Sequence, residues 1–137
     1  MPDTVRLVDY YYITLSDRPG EGVRALQALR DAGVNLIAVH GFPAARRSQI
    51  DFVPSDAGAL KNAATKAKWK LTGPKKAFLI EGDDRTGALV DYFAKLAGTK
   101  INITATSAVT AGAGRFGAIL WVKPRDVTRA ARALGAG

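Results

Sequence analysis

The chain has 137 residues, with 20 lysines and arginines against 12 aspartates and glutamates, a formal charge of +8. That length suits one ordinary domain or two very small ones, and 47% hydrophobic with 23% charged residues excludes a disordered chain. With no cysteine and a single histidine, disulfides, thiolate metal sites, thiol nucleophiles and multi-histidine cages are ruled out, and any Ser/His/Asp triad would have to use His40. The opening residues carry a polar group every few positions, and no run of roughly 18 apolar residues occurs, so neither a signal peptide nor a membrane span is expected. A cytoplasmic location is the default.

In chain order, Tyr11, Ile13 and Leu15 alternate with Tyr10, Tyr12 and Thr14, the period of a half-buried strand. Asp17-Arg18-Pro19-Gly20 follows as a turn, with Asp17 placed to cap the next helix. Val23, Leu26 and Leu29 form its apolar stripe, and Gly33 ends it. Val34 to Phe42 and Ser48 to Val53 read as the second and third strands, and Pro54-Ser55-Asp56 starts a helix through about Lys66. Lys66 to Leu71 alternates strictly, with Ala67, Trp69 and Leu71 on one side, and is expected as a fourth strand. Thr72 to Lys75 is expected as a linker.

The cycle then restarts. Asp17-Arg18-Pro19-Gly20 returns as Asp84-Arg85-Thr86-Gly87, 67 positions on, and Ile13, Val23, Leu29, Asn35 and Ala38 match Ile80, Val90, Leu96, Asn102 and Ala105. Beyond the third strand the offset becomes 70, pairing Ile50 with Leu120 and Asp56 with Asp126. Three extra residues are expected around Thr110 to Arg115, with Ala111 to Arg115 as a flexible turn long enough to cover a ligand. The order is βαββαβ twice, an α+β fold of ferredoxin-like repeats with helices on one face of antiparallel sheets. The repeats divide the chain at 1–73 and 74–137. The second copy ends without its fourth strand, and Thr4 to Val8 is placed to supply it.

Asp17-Arg18-Pro19-Gly20-Glu21-Gly22-Val23 with Ala32-Gly33-Val34-Asn35-Leu36 resembles an ACT domain. Asp84-Arg85-Thr86-Gly87 with Ile101-Asn102-Ile103 resembles it again, so nearly the whole chain looks like a stand-alone tandem pair. The resemblance implies a regulatory, non-enzymatic protein that binds a small effector, an amino acid, where repeats meet. The contact residues it implies are Asp17, Arg18, Pro19, Gly20 and Asn35, then Asp84, Arg85, Gly87 and Asn102. It also implies an enzyme of amino-acid metabolism as partner, with no catalytic residue, cofactor or metal. Independently, a helix start offers free amides and a positive dipole end to a carboxylate, while Asp17 or Asp84 can face an ammonium. The plainer readings stay open: the aspartates as caps, the glycines as packing positions, the asparagines as partners of loop backbone, the arginines as solvated charges.

With Tyr11 and Ile13 turned to the helices, Tyr10, Tyr12, Ile37, Val39, Asp51, Val53, Leu79 and Trp121 are expected on the other face. Left in water, that face would be a large apolar patch, and a homodimer is the expected remedy. His40, with no partner identifiable in the sequence, reads as an interface side chain. RNA binding is the rival from another class, because the same topology with exposed sheet aromatics stacks bases. The third strands lack the Lys/Arg-Gly-aromatic pattern of that module, so nucleic acid is set aside. A scaffold that binds only another protein is the remaining alternative.

Overall fold

A computed structural model describes residues 3–136 of the chain. It contains β1 (Thr4–Ser16), α1 (Glu21–Asp31), β2 (Leu36–Ala44), β3 (Arg47–Pro54), α2 (Ala57–Lys66), β4 (Thr72–Asp83), α3 (Val90–Gly98), β5 (Ile103–Gly112), β6 (Arg115–Val122), a 3₁₀ turn Pro124–Asp126 and α4 (Val127–Leu134). Two compact units result. The first holds residues 9–75; the second joins residues 3–8 to 76–136.

Both units have ferredoxin-like topology. In the first unit the strand order is β2, β3, the 9–16 part of β1, then the start of β4. In the second it is β5, β6, the 76–83 part of β4, then the 4–8 part of β1. The two long strands each serve twice, so residues 4–8 are the fourth strand of the second unit, with Val5 and Leu7 packed on its core. Residues 72–75, expected as a linker, are ladder residues of β4. Gly73 has φ 135°, and a Cβ there would lie 2.8 Å from both the Tyr10 carbonyl oxygen and the Tyr11 ring, so only glycine fits.

The expected fourth strand at 66–71 is absent. Ala67 caps α2 instead, Lys68 turns left-handed at φ 58°, and the Trp69 amide returns to the Ala64 carbonyl at 2.9 Å. That closure is a helix ending, and it forbids an immediate ladder. Trp69 and Leu71 still face inward against the first core, with Trp69 stacked 6.4 Å from Phe52.

The cores are built alike. Tyr11, Ile13, Leu29, Phe52 and Leu60 are buried in the first unit; Phe78, Ile80, Leu96, Leu120 and Ala130 are buried in the second. The pair Tyr11 and Phe52 faces across one ladder as Phe78 and Leu120 face across the other. A bulge interrupts each second strand at its start, between Leu36 and Ala38 and between Ile103 and Ala105. These registers relocate the three extra residues. One sits in a further β5 bulge between Thr110 and Gly112, and the other two fall in the 3₁₀ turn before α4. The hairpin turns have equal length: Ala45 and Arg46 have φ 48° and 70°, and Ala113 and Gly114 have 55° and 69°. Positive φ at both positions is the tight two-residue hairpin turn, so Ala111 to Arg115 forms no ligand-covering loop.

The same bulges reassign a sheet face. Each bulge flips the alternation that follows it, so Val39 lies opposite Phe52 and His40 opposite Asp51. Val39 therefore belongs to the side of Tyr11, and His40 joins Tyr12 and Asp51. Val53, Leu79 and Trp121, expected on the face that a second chain would cover, are 2%, 8% and 6% exposed within the single chain. Their burial takes three of the eight residues out of the expected apolar patch, while Ile37 stays exposed.

Candidate functional site

In the first unit, α1 begins four residues after Asp17, too late for that carboxylate to cap it. Gly20 takes the cap position at φ 93°, and no side chain caps the helix. Asp17 instead accepts a hydrogen bond from the Ser48 hydroxyl of β3 at 3.2 Å. Ser16 organises the turn: its hydroxyl donates to Glu21 at 2.7 Å and accepts from the Arg18 guanidinium at 3.4 Å. The Ser16 hydrogen bond holds the Glu21 carboxyl below its usual range, with Arg24, 3.3 Å away, helping. Pro19 completes the turn before Gly20.

These groups open onto a cavity of about 400 Å³. Asp17, Arg18, Glu21, Gly22, Ser48 and Gln49 form its polar wall, and Leu15, Phe42, Pro43 and Ile50 its apolar one. The size falls within the usual range of small-molecule sites. Two carboxylates, one guanidinium and the open start of α1 therefore share one hollow. Asn35 does not join them. It lies at the other end of α1, about 16 Å along an 11-residue helix, in a second hollow of about 370 Å³ with Leu26, Arg30 and Leu36. Its carbonyl accepts from the Ser55 amide at 3.0 Å and the Ser55 hydroxyl at 3.3 Å.

The corresponding junction of the second unit is arranged differently. Gly87 keeps the left-handed turn of Gly20, at φ 71°, but α3 starts only at Val90. The Asp84 amide donates to the Gly114 carbonyl at 2.8 Å. Arg85 is committed to Asp3, at 2.9 and 3.3 Å, and to the Asp83 carbonyl at 2.9 Å. The Tyr92 hydroxyl donates to the same Asp3 carboxylate. Arg85 and then Tyr92 hold the Asp3 carboxyl below its ordinary range, while burial and that carboxylate push the Tyr92 phenol up to about 12. Asn102 is exposed between α3 and β5.

The partners of Asp51, and Asp3 altogether, escaped the sequence reading. Asp51 is buried; it accepts from the Gln49 amide at 2.9 Å and lies 3.8 Å from His40, and its burial raises its pKa. A two-residue turn at 45–46 sets residues 40 and 51 opposite one another, so the signal was available in the hairpin arithmetic. Asp3 had no local signal, because its partners lie 82 and 89 positions away. Among the described residues no group of three or more histidine, aspartate or glutamate side chains gathers as a metal site, and no helix is long and apolar enough to cross a membrane.

The sequence matches no protein-family model and no curated protein. Solved structures share the fold. A protein of Bacteroides thetaiotaomicron is similar at a TM-score of 0.80 and 15% identity, over 96% of this chain and 88% of that one. The regulatory subunit of aspartate kinase from Thermus thermophilus, in a ligand-free form, is similar at 0.63 and 18%, over 98% and 96%. The regulatory subunit of aspartate kinase from Thermus flavus gives 0.61 and 19%, over 98% and 95%. At these identities the likeness is one of fold, and function has to be argued from the site.

Proposed function

We propose that the chain is a non-enzymatic regulatory protein of two ACT-like repeats, successive in sequence around residues 73 and 74, that senses a small zwitterionic effector, an amino acid. The observation that carries this reading is the cavity of about 400 Å³ beside Asp17, Arg18, Glu21 and Gly22. An ammonium faces Asp17 and Glu21, and a carboxylate faces Arg18 and the uncapped amides that open α1. Two of the similar folds are regulatory subunits of aspartate kinase, which supports an enzyme of amino-acid metabolism as partner. Effector binding would favour one association state of the chain, a homodimer, over another.

A thermal-shift screen across the amino acids tests the reading. A ligand held only by the folded chain at about 100 times its dissociation constant adds about 2.7 kcal/mol. One or a few amino acids are expected to raise the midpoint, and Asp17→Ala or Arg18→Ala to abolish the shift. No shift with any amino acid overturns sensing.

A protein-binding scaffold is the second reading, favoured by a repeated feature. Val23 and Leu26 of α1 are exposed, and so are their counterparts Val90 and Phe93 of α3. RNA binding loses support because Trp121 is buried and Tyr12 lies under Lys75, 5.5 Å from the ring, leaving too few free rings for base stacking.

A further inference from the structure

Asp3 lies in a socket that the first repeat does not possess. Position 82 is glycine where the first copy has Leu15, and a Cβ there would run into the Asp3 carboxylate. Position 92 is tyrosine where the first copy has Ala25, and its hydroxyl donates to that carboxylate. Arg85, the counterpart of Arg18, supplies the charge through two guanidinium contacts at 2.9 and 3.3 Å. Only 15% of the Asp3 side chain is exposed. Room, a hydroxyl donor and a guanidinium thus converge on one carboxylate, and charge-assisted bonds of this kind are the strong ones.

We infer that the second loop–helix junction is latched by the chain itself: the Asp3 carboxylate occupies the place a free effector's carboxylate would take beside Arg85. The chain therefore has one open effector junction, the first, and one filled from within. This rests on the reading of the first junction as an effector site, and it adds a regulatory consequence. Release of the segment around Asp3 would uncover a second carboxylate-binding site, while in the latched state the two repeats differ in occupancy.

The test uses the full chain and formate as probe, since Asp3→Ala removes a group of that shape. Phenylglyoxal modification of Arg85, followed by peptide mass spectrometry, reports whether the guanidinium is engaged. In the wild type Arg85 is expected to react slowly and formate to change nothing. In Asp3→Ala it reacts about tenfold faster, and formate, but not chloride at equal ionic strength, restores protection and raises the thermal midpoint. Asp3→Asn keeps the shape without the charge; it is expected to remain folded with Arg85 accelerated, which guards against misfolding of the alanine variant. Equal Arg85 reactivity in wild type and both variants, or no protection by formate in Asp3→Ala, overturns the latch. An amino-acid screen read at the Gly22 amide reports separately on the first junction, so failure there leaves the Asp3 result standing.

Discussion

Burying a carboxylate penalises its charged form, and Asp51 shows the consequence. Its pKa is raised by desolvation, with Gln49 and His40 only partly offsetting that effect. The folded chain therefore binds this proton more tightly than the unfolded chain does. Stability from this group is present at low pH and is lost as pH rises through the raised value. Relative to Asp51→Asn, the wild type is expected to gain stability between pH 7 and pH 4, read as the difference in urea midpoints of the two proteins. Asp3 has the opposite sign. Its pKa is lowered by Arg85 and Tyr92, so its contribution is present at neutral pH and lost as pH falls through the lowered value. Tyr92→Phe removes one of the two causes and leaves the carboxylate a donor short. It is expected to cost about 1.5 to 3 kcal/mol at pH 7 and to flatten the acid limb of the stability curve.

The four helices end in two ways. After α1 and α4 the left-handed residue is glycine, Gly33 at φ 72° and Gly135 at 71°; after α2 and α3 it is lysine, Lys68 and Lys100, both at 58°. Each unit thus closes one helix with glycine and one with a side chain that resists the conformation. The left-handed region costs a non-glycine residue roughly 1 to 2 kcal/mol, part of which glycine returns through its floppier unfolded state. Lys68→Gly and Lys100→Gly are each expected to stabilise the chain by about 0.5 to 1 kcal/mol, checked by chemical denaturation. The helices themselves were legible, and Asp56 caps α2 through the Gly58 and Ala59 amides at 3.0 and 3.3 Å, but the expected stripe of α1 is turned: Leu29 is buried with Ala25, while Val23 and Leu26 are exposed, because small alanines rather than the larger side chains meet the sheet. The alternation at 66–71 misled, because Lys68 ends a helix there and the period of two continues into a segment that pairs with nothing. Bulges were likewise invisible, since an extra unpaired residue leaves the composition of a strand unchanged.

At the scale of the molecule, the exchanged strands define what can fold alone. Residues 9–75 contain all four strands of the first unit, whereas 76–136 lack the one that residues 4–8 supply. A fragment spanning 9–75 is expected to unfold cooperatively on its own. A fragment spanning 76–136 is expected to be largely unfolded until residues 1–8 are joined to its end, with circular dichroism and urea titration as the readouts. Val5 and Leu7 on the core of the second unit give the physical cause, since a small domain has little apolar burial to spare.

By itself the amino-acid sequence carried the recurrence of Asp17-Arg18 as Asp84-Arg85, the βαββαβ order and the loop residues Asp17 and Arg18 that now line one cavity. Each of these is written in local spacing, which backbone geometry converts directly into a face or a turn. Only the tertiary structure decided that Asn35 stands apart from that cavity, that Val53 and Trp121 are already covered, and that Asp3 reaches Arg85. Those outcomes depend on which strand pairs with which and in what register, and strand pairing between distant segments leaves no periodic trace along the chain.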